Sequence, residues 1–231
     1  MRVVTDRSLF DSSCDYLTNT INIVGAMGAG LALEFRLRVP EMYELYKDKC
    51  GRGEIQIGKY WIYDKPNRMG KKILNFPVKR GFNHPSTWDY VIRGMDYFLQ
   101  NYERDGITSI AMPTLGARLG KLPNEDVLEM MRIDLENLPI LVEVYQSYSQ
   151  DRLTKWVKGE IASMSVEDIS RQLGLSMRDS GKIKNRVSKA FLLSDLVAFN
   201  EMSVSLVQVL YDYAYRRMAD LKLHQFTQFA K

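Results

Sequence analysis

The chain has 231 residues, 45% of them hydrophobic and 26% charged. That is the balance of a globular protein, long enough for one well-buried domain with a smaller companion. No stretch approaches the ~20 consecutive apolar residues that a bilayer span needs, and the opening residues lack the basic-then-apolar pattern of a signal peptide. Two cysteines and two histidines are too few for a disulfide framework or a zinc cluster, so a cytoplasmic protein with no metal site is expected. Net charge is +4, and residues 1–150 carry equal numbers of acidic and basic side chains, so the whole excess falls in 151–231. Such asymmetry can mark nucleic-acid contact.

In chain order, Met1–Thr5 and Tyr16–Val24 read as strands, the second rich in β-branched residues but with polar residues inside it. A glycine-rich turn, Gly25–Gly30, runs into a helical stretch over Leu31–Leu37, and Pro40 breaks it. Pro40–Cys50 reads as a second helical piece with Met42, Leu45 and Tyr46 on one face. Ile55–Tyr63 and Lys72–Phe76 read as strands, and Asp89–Tyr102 as a helix with Val91, Met95 and Leu99 on one stripe. Thr108–Met112 is a buried strand, Pro113–Gly120 a second glycine-containing turn, Asp126–Leu138 a helix and Ile140–Tyr145 a strand. Strands alternating with helices imply an α/β domain over residues 1–148. After Tyr148 the character changes: residues 152–231 hold no proline and three glycines. Helical blocks over Val166–Leu173, Asp179–Leu193 and Glu201–Leu223 make this an α-helical C-terminal domain, the last block spaced by Val207, Leu210, Ala214, Met218 and Leu221.

The segment with most chemical content is a strand–turn–helix unit, NTINIVGAMGAGLALEF, over residues 19–35. Glycines let backbone N–H groups approach an anion, and the N-terminus of the helix that follows favours negative charge. The unit is a candidate diphosphate cradle, although Gly25, Gly28 and Gly30 fit neither the GxGxxG fingerprint nor a P-loop. A packed turn is the plain alternative. Asn19, Thr20 and Asn22 tip the balance, since a purely structural strand prefers apolar residues there. A second turn, MPTLGARLGKL, and a third segment, NFPVKRGFNHP with Lys79 and Arg80, also follow strands, and such turns can share one cleft.

These three stretches together resemble the macrodomain family, the ADP-ribose-binding fold. The likeness is greatest to its branch of DNA ADP-ribosyl glycohydrolase antitoxins and terminal ADP-ribose protein glycohydrolases. The resemblance implies a three-layer α/β/α fold with a mixed central sheet. It implies that Ser8 and Leu9 stand at the adenine, where an acid is usual. Asn19, Thr20 and Asn22 would lie near the distal ribose. Gly25, Met27, Gly28, Gly30 and Leu31 would wrap ribose and phosphate, and Thr114, Leu115, Gly116, Ala117, Arg118, Leu119 and Gly120 would offer backbone N–H groups to the diphosphate. Lys79 matches the lysine which that branch uses at the anomeric carbon, with Asn22 beside it in the catalytic set. An amine there can form an imine once it has lost its proton, which burial or a neighbouring cation such as Arg80 would favour. Without the resemblance, Lys79 reads as a solvated surface lysine. The second loop carries no acid, a departure shared with the DNA-directed members, and Arg118 stands where glycine is usual.

The implied function is removal of ADP-ribose from a modified macromolecule, preferably thymidine-linked DNA, with ADP-ribose as ligand and product, no cofactor, no membrane and a cognate ADP-ribosylating toxin as partner. A non-catalytic ADP-ribose reader is the alternative from another class. Residues 165–187 also carry a faint helix-turn-helix pattern, and residues 171–189 hold six basic side chains and one acid. The readings open there are single-stranded or duplex DNA contact in a nucleic-acid-binding regulator, a bundle with a solvated basic face, or a protein-interaction pair.

Overall fold

The computed structural model describes residues 1–146 and 149–220. The chain divides into two compact units, Met1–Ser149 and Gln150–Lys231. In the first, six strands form one sheet: β1 (Arg2–Val4), β2 (Tyr16–Asn22), β3 (Trp61–Tyr63), β4 (Lys72–Lys79), β5 (Ser109–Pro113) and β6 (Leu141–Tyr145). Their order is β1-β6-β5-β2-β4-β3, every pair parallel except β3, which runs antiparallel along β4 at the edge. Chain order reverses at β2, so the crevice between the carboxyl ends of β2 and β5 is where ligands bind in sheets of this kind.

Strand alternation sends side chains to two cores. Leu74, Phe76, Ile110, Met112, Val142 and Val144 face helices α3 (Trp88–Asn101) and α4 (Asn124–Leu135) through Val91, Met95, Phe98, Val127 and Met131. Leu17, Ile21, Ile73, Ala111 and Tyr145 face α1 (Gly30–Arg38) and α2 (Pro40–Gly51) through Phe35, Met42 and Tyr46. The result is the expected three layers with a mixed sheet. The second core also holds polar residues. Buried Glu34 accepts two hydrogen bonds from Arg38 one helical turn on, at 3.2 and 2.8 Å. Arg38 also lies 4.0 Å from the centroid of the Phe10 ring.

Several boundaries differ from the sequence-based expectation. The strand expected over Ile55–Tyr63 shortens to Trp61–Tyr63, because Gly58 takes a positive φ inside the run. β4 extends past Phe76 through Pro77 to Lys79. A proline is tolerated there because the register slips: Ile21 pairs with Pro77 but Asn22 pairs with Lys79, leaving Val78 as an extra residue.

The second unit contains α5 (Arg152–Ser163), α6 (Val166–Leu173), α7 (Met177–Arg186), the short α8 (Asp195–Ala198) and α9 (Val204–Asp220). α5 was not expected; Asp151 caps it by accepting from the Thr154 amide at 3.3 Å. α7 starts two residues earlier than expected, because Ser176 caps it, and ends at Arg186. α9 starts at Val204, and Leu221 and Leu223 of the expected block lie outside the described residues. Among the described residues no helix is long and apolar enough to cross a membrane.

Packing of α3 on β4 is tight at Gly94, where an added Cβ would overlap the Phe76 ring. Gly94→Ala is expected to destabilise the fold by about 1–3 kcal/mol through overpacking, outweighing the gain in helix propensity. Urea denaturation checks this, and a more stable variant would contradict the packing described.

Candidate active site

Three strand ends meet at the carboxyl edge of the sheet. β2 ends at Asn22, the register slip brings Lys79 at the end of β4 level with it, and β5 ends at Pro113. Asn22 is buried, and its side chain builds the first loop. Its Oδ1 accepts from the amides of Val24 (3.0 Å) and Ala26 (3.2 Å), and its Nδ2 donates to the Ala26 carbonyl (2.6 Å). The Tyr46 hydroxyl on α2 donates to the Asn22 carbonyl at 2.8 Å and lies 3.0 Å from Oδ1. Burial holds the Tyr46 phenol far above its ordinary pKa, so it stays a donor. Asn22 is thus placed as the brace of the loop.

Asn19, three residues earlier on β2, is fully buried. Its Nδ2 donates to Asn75 Oδ1 at 2.9 Å, and its Oδ1 has no hydrogen-bond partner among the described residues. Met27 is buried, its sulfur 4.0 Å from Asn19 Nδ2. Thr20 is half-buried on the same strand.

The braced loop delivers the chain to α1 with an open N-terminus. Ala29 at the cap makes no side-chain hydrogen bond, and no acid lies in the first turn. The orphan N–H groups and the helix dipole there favour an anion. Gly25 and Gly30 take φ of +79° and +56°, and among the described residues a Cβ at Gly28 would meet nothing within 4 Å.

The second loop lies against the first. A Cβ on Gly30 would come within 2.8 Å of Leu119 Cδ1, so Leu119, 60% exposed, lies over Gly30. Leu115 is buried in the α3/α4 core, Ala117 is buried, and Thr114 donates to Asn124 Oδ1 at 2.7 Å. Their side chains are thus engaged in packing or hydrogen bonding within the fold. Arg118 takes φ +52° and Lys121 φ +67°, left-handed positions that suit glycine, which explains why glycine is usual at the first of them. The Arg118 guanidinium lies 3.5 Å from the Gln146 carbonyl at the end of β6.

Lys79 sits at the junction of the loops: its Nζ donates to the Leu119 carbonyl. Partial burial, and then the cation of Lys121, hold its ammonium below the ordinary lysine pKa. Arg80, expected as that cation, is not a cause; its guanidinium lies 5.9 Å from the Tyr90 ring centroid. Lys121 supplies the charge through the loop and not through sequence adjacency. Ser8 shares this edge of the sheet, but its Oγ accepts from the Phe10 amide at 3.3 Å, and Leu9 is buried in the α1/α2 core. No hydrogen bond joins either residue to the two loops among the described residues.

Three residues escaped the sequence reading. Tyr46 was visible only as an apolar-face residue. Lys121 gave no signal without the loop path. Ser86 is buried, its Oγ has no partner among the described residues, and a Cβ on Gly120 would lie 2.5 Å from that oxygen and 3.9 Å from Lys79 Cε. Among the described residues no three His, Cys, Asp or Glu side chains gather as a metal site; His224 lies outside them. A cavity of about 470 Å³ opens at the opposite, amino-terminal edge of β2 and β4, lined by Tyr16, Tyr60, Trp61, Lys72, Tyr97 and Asp105. It is separate from the loops.

The family model described as Macro domain matches residues 18–131, which carry both loops and Lys79. The solved macrodomain of Mycobacterium tuberculosis DarG is 35% identical, with a TM-score of 0.61 over 64% of this chain and 99% of that one. The chain belongs to the macrodomain family. A second solved structure, Thermosipho africanus DarTG in complex with ADP-ribose, is 30% identical with a TM-score of 0.59, covering 63% of this chain and 41% of that one. Among curated relatives, the DNA ADP-ribosyl glycohydrolase of Thermus aquaticus is 38% identical over 141 residues, which are 60% of this chain and 39% of the relative. The chain therefore spans less than half the length of that relative.

The macrodomain's second loop depends on the absence of a side chain at Gly120. Gly120→Ala is expected to destabilise the fold by about 1–3 kcal/mol, and Ser86→Gly in the same chain is expected to restore part of that loss. Thermal melting of the single and double variants checks this; no rescue would contradict the packing of Ser86 on this loop.

Proposed function

We propose that this macrodomain removes ADP-ribose from a modified macromolecule, thymidine-linked DNA above all, and that Lys79 is its catalytic residue. One observation carries the reading: Lys79 stands where the anion-binding N-terminus of α1 and the second loop meet, held by Leu119, whose side chain also covers Gly30. A ligand with its diphosphate on the α1 amides and the second loop would bring its distal ribose to Lys79. The relatives bearing the name DNA ADP-ribosyl glycohydrolase support DNA as the substrate. A relative in which transferase and glycohydrolase are fused supports a cognate ADP-ribosylating toxin as the opposing activity.

In this mechanism the neutral Nζ attacks C1″ of the distal ribose. The bond from C1″ to the base breaks, and the base leaves with the electron pair and takes up a proton. The ring opens to an imine between Nζ and C1″, and water hydrolyses it to ADP-ribose and the free amine. The chemistry uses no metal or redox group. Asn22 acts as a positioning residue through the loop. Two unpaired cysteines, Cys14 and Cys50, are compatible with a reducing, cytoplasmic setting. The bond from Lys79 to the Leu119 carbonyl also favours a second reading, a non-catalytic ADP-ribose reader in which the lysine is only a strut.

The test follows free ADP-ribose by mass spectrometry from a thymidine-ADP-ribosylated single-stranded oligonucleotide and from a glutamate-ADP-ribosylated protein. Release from DNA that vanishes in Lys79→Ala is expected. Release from protein alone would move the substrate class. No release, with ADP-ribose still bound, would replace the enzyme by the reader.

The pH profile gives an independent check. The rate rises with pH as Lys79 loses its proton and levels off above its lowered pKa. Lys121→Gln removes a neighbouring cation, which raises the Lys79 pKa. The rising limb should therefore move to higher pH, with the plateau rate retained; an unmoved limb would exclude Lys121 from tuning Lys79.

A further inference from the structure

We propose that α6 and α7 form a helix-turn-helix that binds duplex DNA in the major groove, with the exposed face of α7 reading the groove. This inference stands apart from the glycohydrolase reading, and its failure would leave the Lys79 chemistry untouched.

The geometry comes first. α6 ends at Gly174, which takes φ +66°, and Ser176 already caps α7, so only Gly174, Leu175 and Ser176 separate the helices. That short, glycine-led turn is the signature of the motif. Ile169, Leu173, Ile183 and Val187 are buried. Ser170 donates to the Leu175 carbonyl at 2.7 Å and buried Ser180 to the Ser176 carbonyl at 2.9 Å, so small hydroxyl residues occupy the crossing.

The outward face of α7 is built for a polyanion. Arg178, Lys182, Asn185 and Arg186 are exposed along it, and Lys189 is exposed one turn on. Arginine and asparagine are the side chains that pair bidentately with guanine and adenine edges, and Met177, half-exposed at the start of the helix, is of the kind that meets a thymine methyl. Lys184 does not belong to this set: its ammonium donates to the carbonyls of Ile161, Ala162 and Met164 and closes the C-terminus of α5. Lys182 with Asp179 (3.9 Å) and Arg186 with Glu201 (3.6 Å) form exposed pairs, which are weak in water and exchangeable for phosphate.

Gly181 is the independent observation. It lies within α7, where glycine is the poorest helix former after proline. Among the described residues a Cβ there would meet nothing within 4 Å, so their packing does not ask for glycine. In this proposal the bare backbone at Gly181 lets α7 approach the groove closely.

The experiment measures fluorescence anisotropy of a labelled mixed-sequence DNA duplex with the full chain, between about 50 and 200 mM salt, beside an RNA duplex and a single strand of the same sequence. Duplex DNA should bind best, since the A-form major groove excludes a helix. Lys182→Ala with Lys189→Ala should flatten the log–log salt slope by about 2, at roughly 0.9 per phosphate contact. Gly181→Gln should keep or raise the melting temperature while weakening duplex binding roughly tenfold, the scale of overpacking a close contact. Equal binding of RNA duplex or single strand, no duplex binding at the lowest salt, or an unchanged slope in the lysine variant would each overturn the proposal. If Gly181→Gln lowers the melting temperature, the exposed lysine pair decides alone.

Discussion

The site depends on one irregularity in the sheet. Between Ile21 and Asn22 the pairing of β2 with β4 slips, and the extra residue, Val78, brings Lys79 level with Asn22. Without the slip, Asn22 would sit opposite Val78, whose side chain is buried in the α3/α4 core. Bulges re-aim side chains at functional edges, and here the bulge aligns the amine with the residue that shapes the first loop. Pro77 next to it has no N–H to lose to a regular ladder, so sequence and irregularity agree.

From that alignment the rest of the edge follows. Asn22 satisfies the amides of Val24 and Ala26 internally, while the first turn of α1 is left without a cap. The loop thus spends its own hydrogen bonds on shape, and no side chain caps the helix N-terminus. The second loop holds two non-glycine residues, Arg118 and Lys121, in left-handed conformations. Local strain of this kind, of order 1–3 kcal/mol for each residue, persists only where the surroundings enforce it. Here it places one cation beside Lys79 and another beside the end of β6.

Much of this was legible in the sequence. The strand–glycine turn–helix order of this unit was legible from residue types alone, and the structure gives it as β2, the loop braced by Asn22, and α1. Lys79 was not legible that way: a lone lysine carries no local signal, and only the resemblance of three ordered segments raised it above the surface. What stayed hidden was whatever depends on register or on a path through space. The bulge at Val78 cannot be read from a strand pattern. Arg80 is adjacent to Lys79 in sequence, but the cation that matters is Lys121, brought in by a loop. Asn19 and Asn22 looked alike as polar strand residues, yet one is buried against Asn75 and the other braces the loop. In the helical unit, the capping residues Asp151 and Ser176 set starts that apolar spacing alone did not locate.

The central claim is that Lys79 reacts with the distal ribose held between the two loops. Borohydride reduction during turnover of an ADP-ribosylated oligonucleotide tests it most directly, because it converts an imine into a stable secondary amine. Peptide mapping by mass spectrometry should then find ADP-ribose attached to the peptide carrying Lys79, and nowhere else at comparable yield. An unmodified Lys79 peptide during active turnover, or an adduct on Lys121 in its place, would contradict the account.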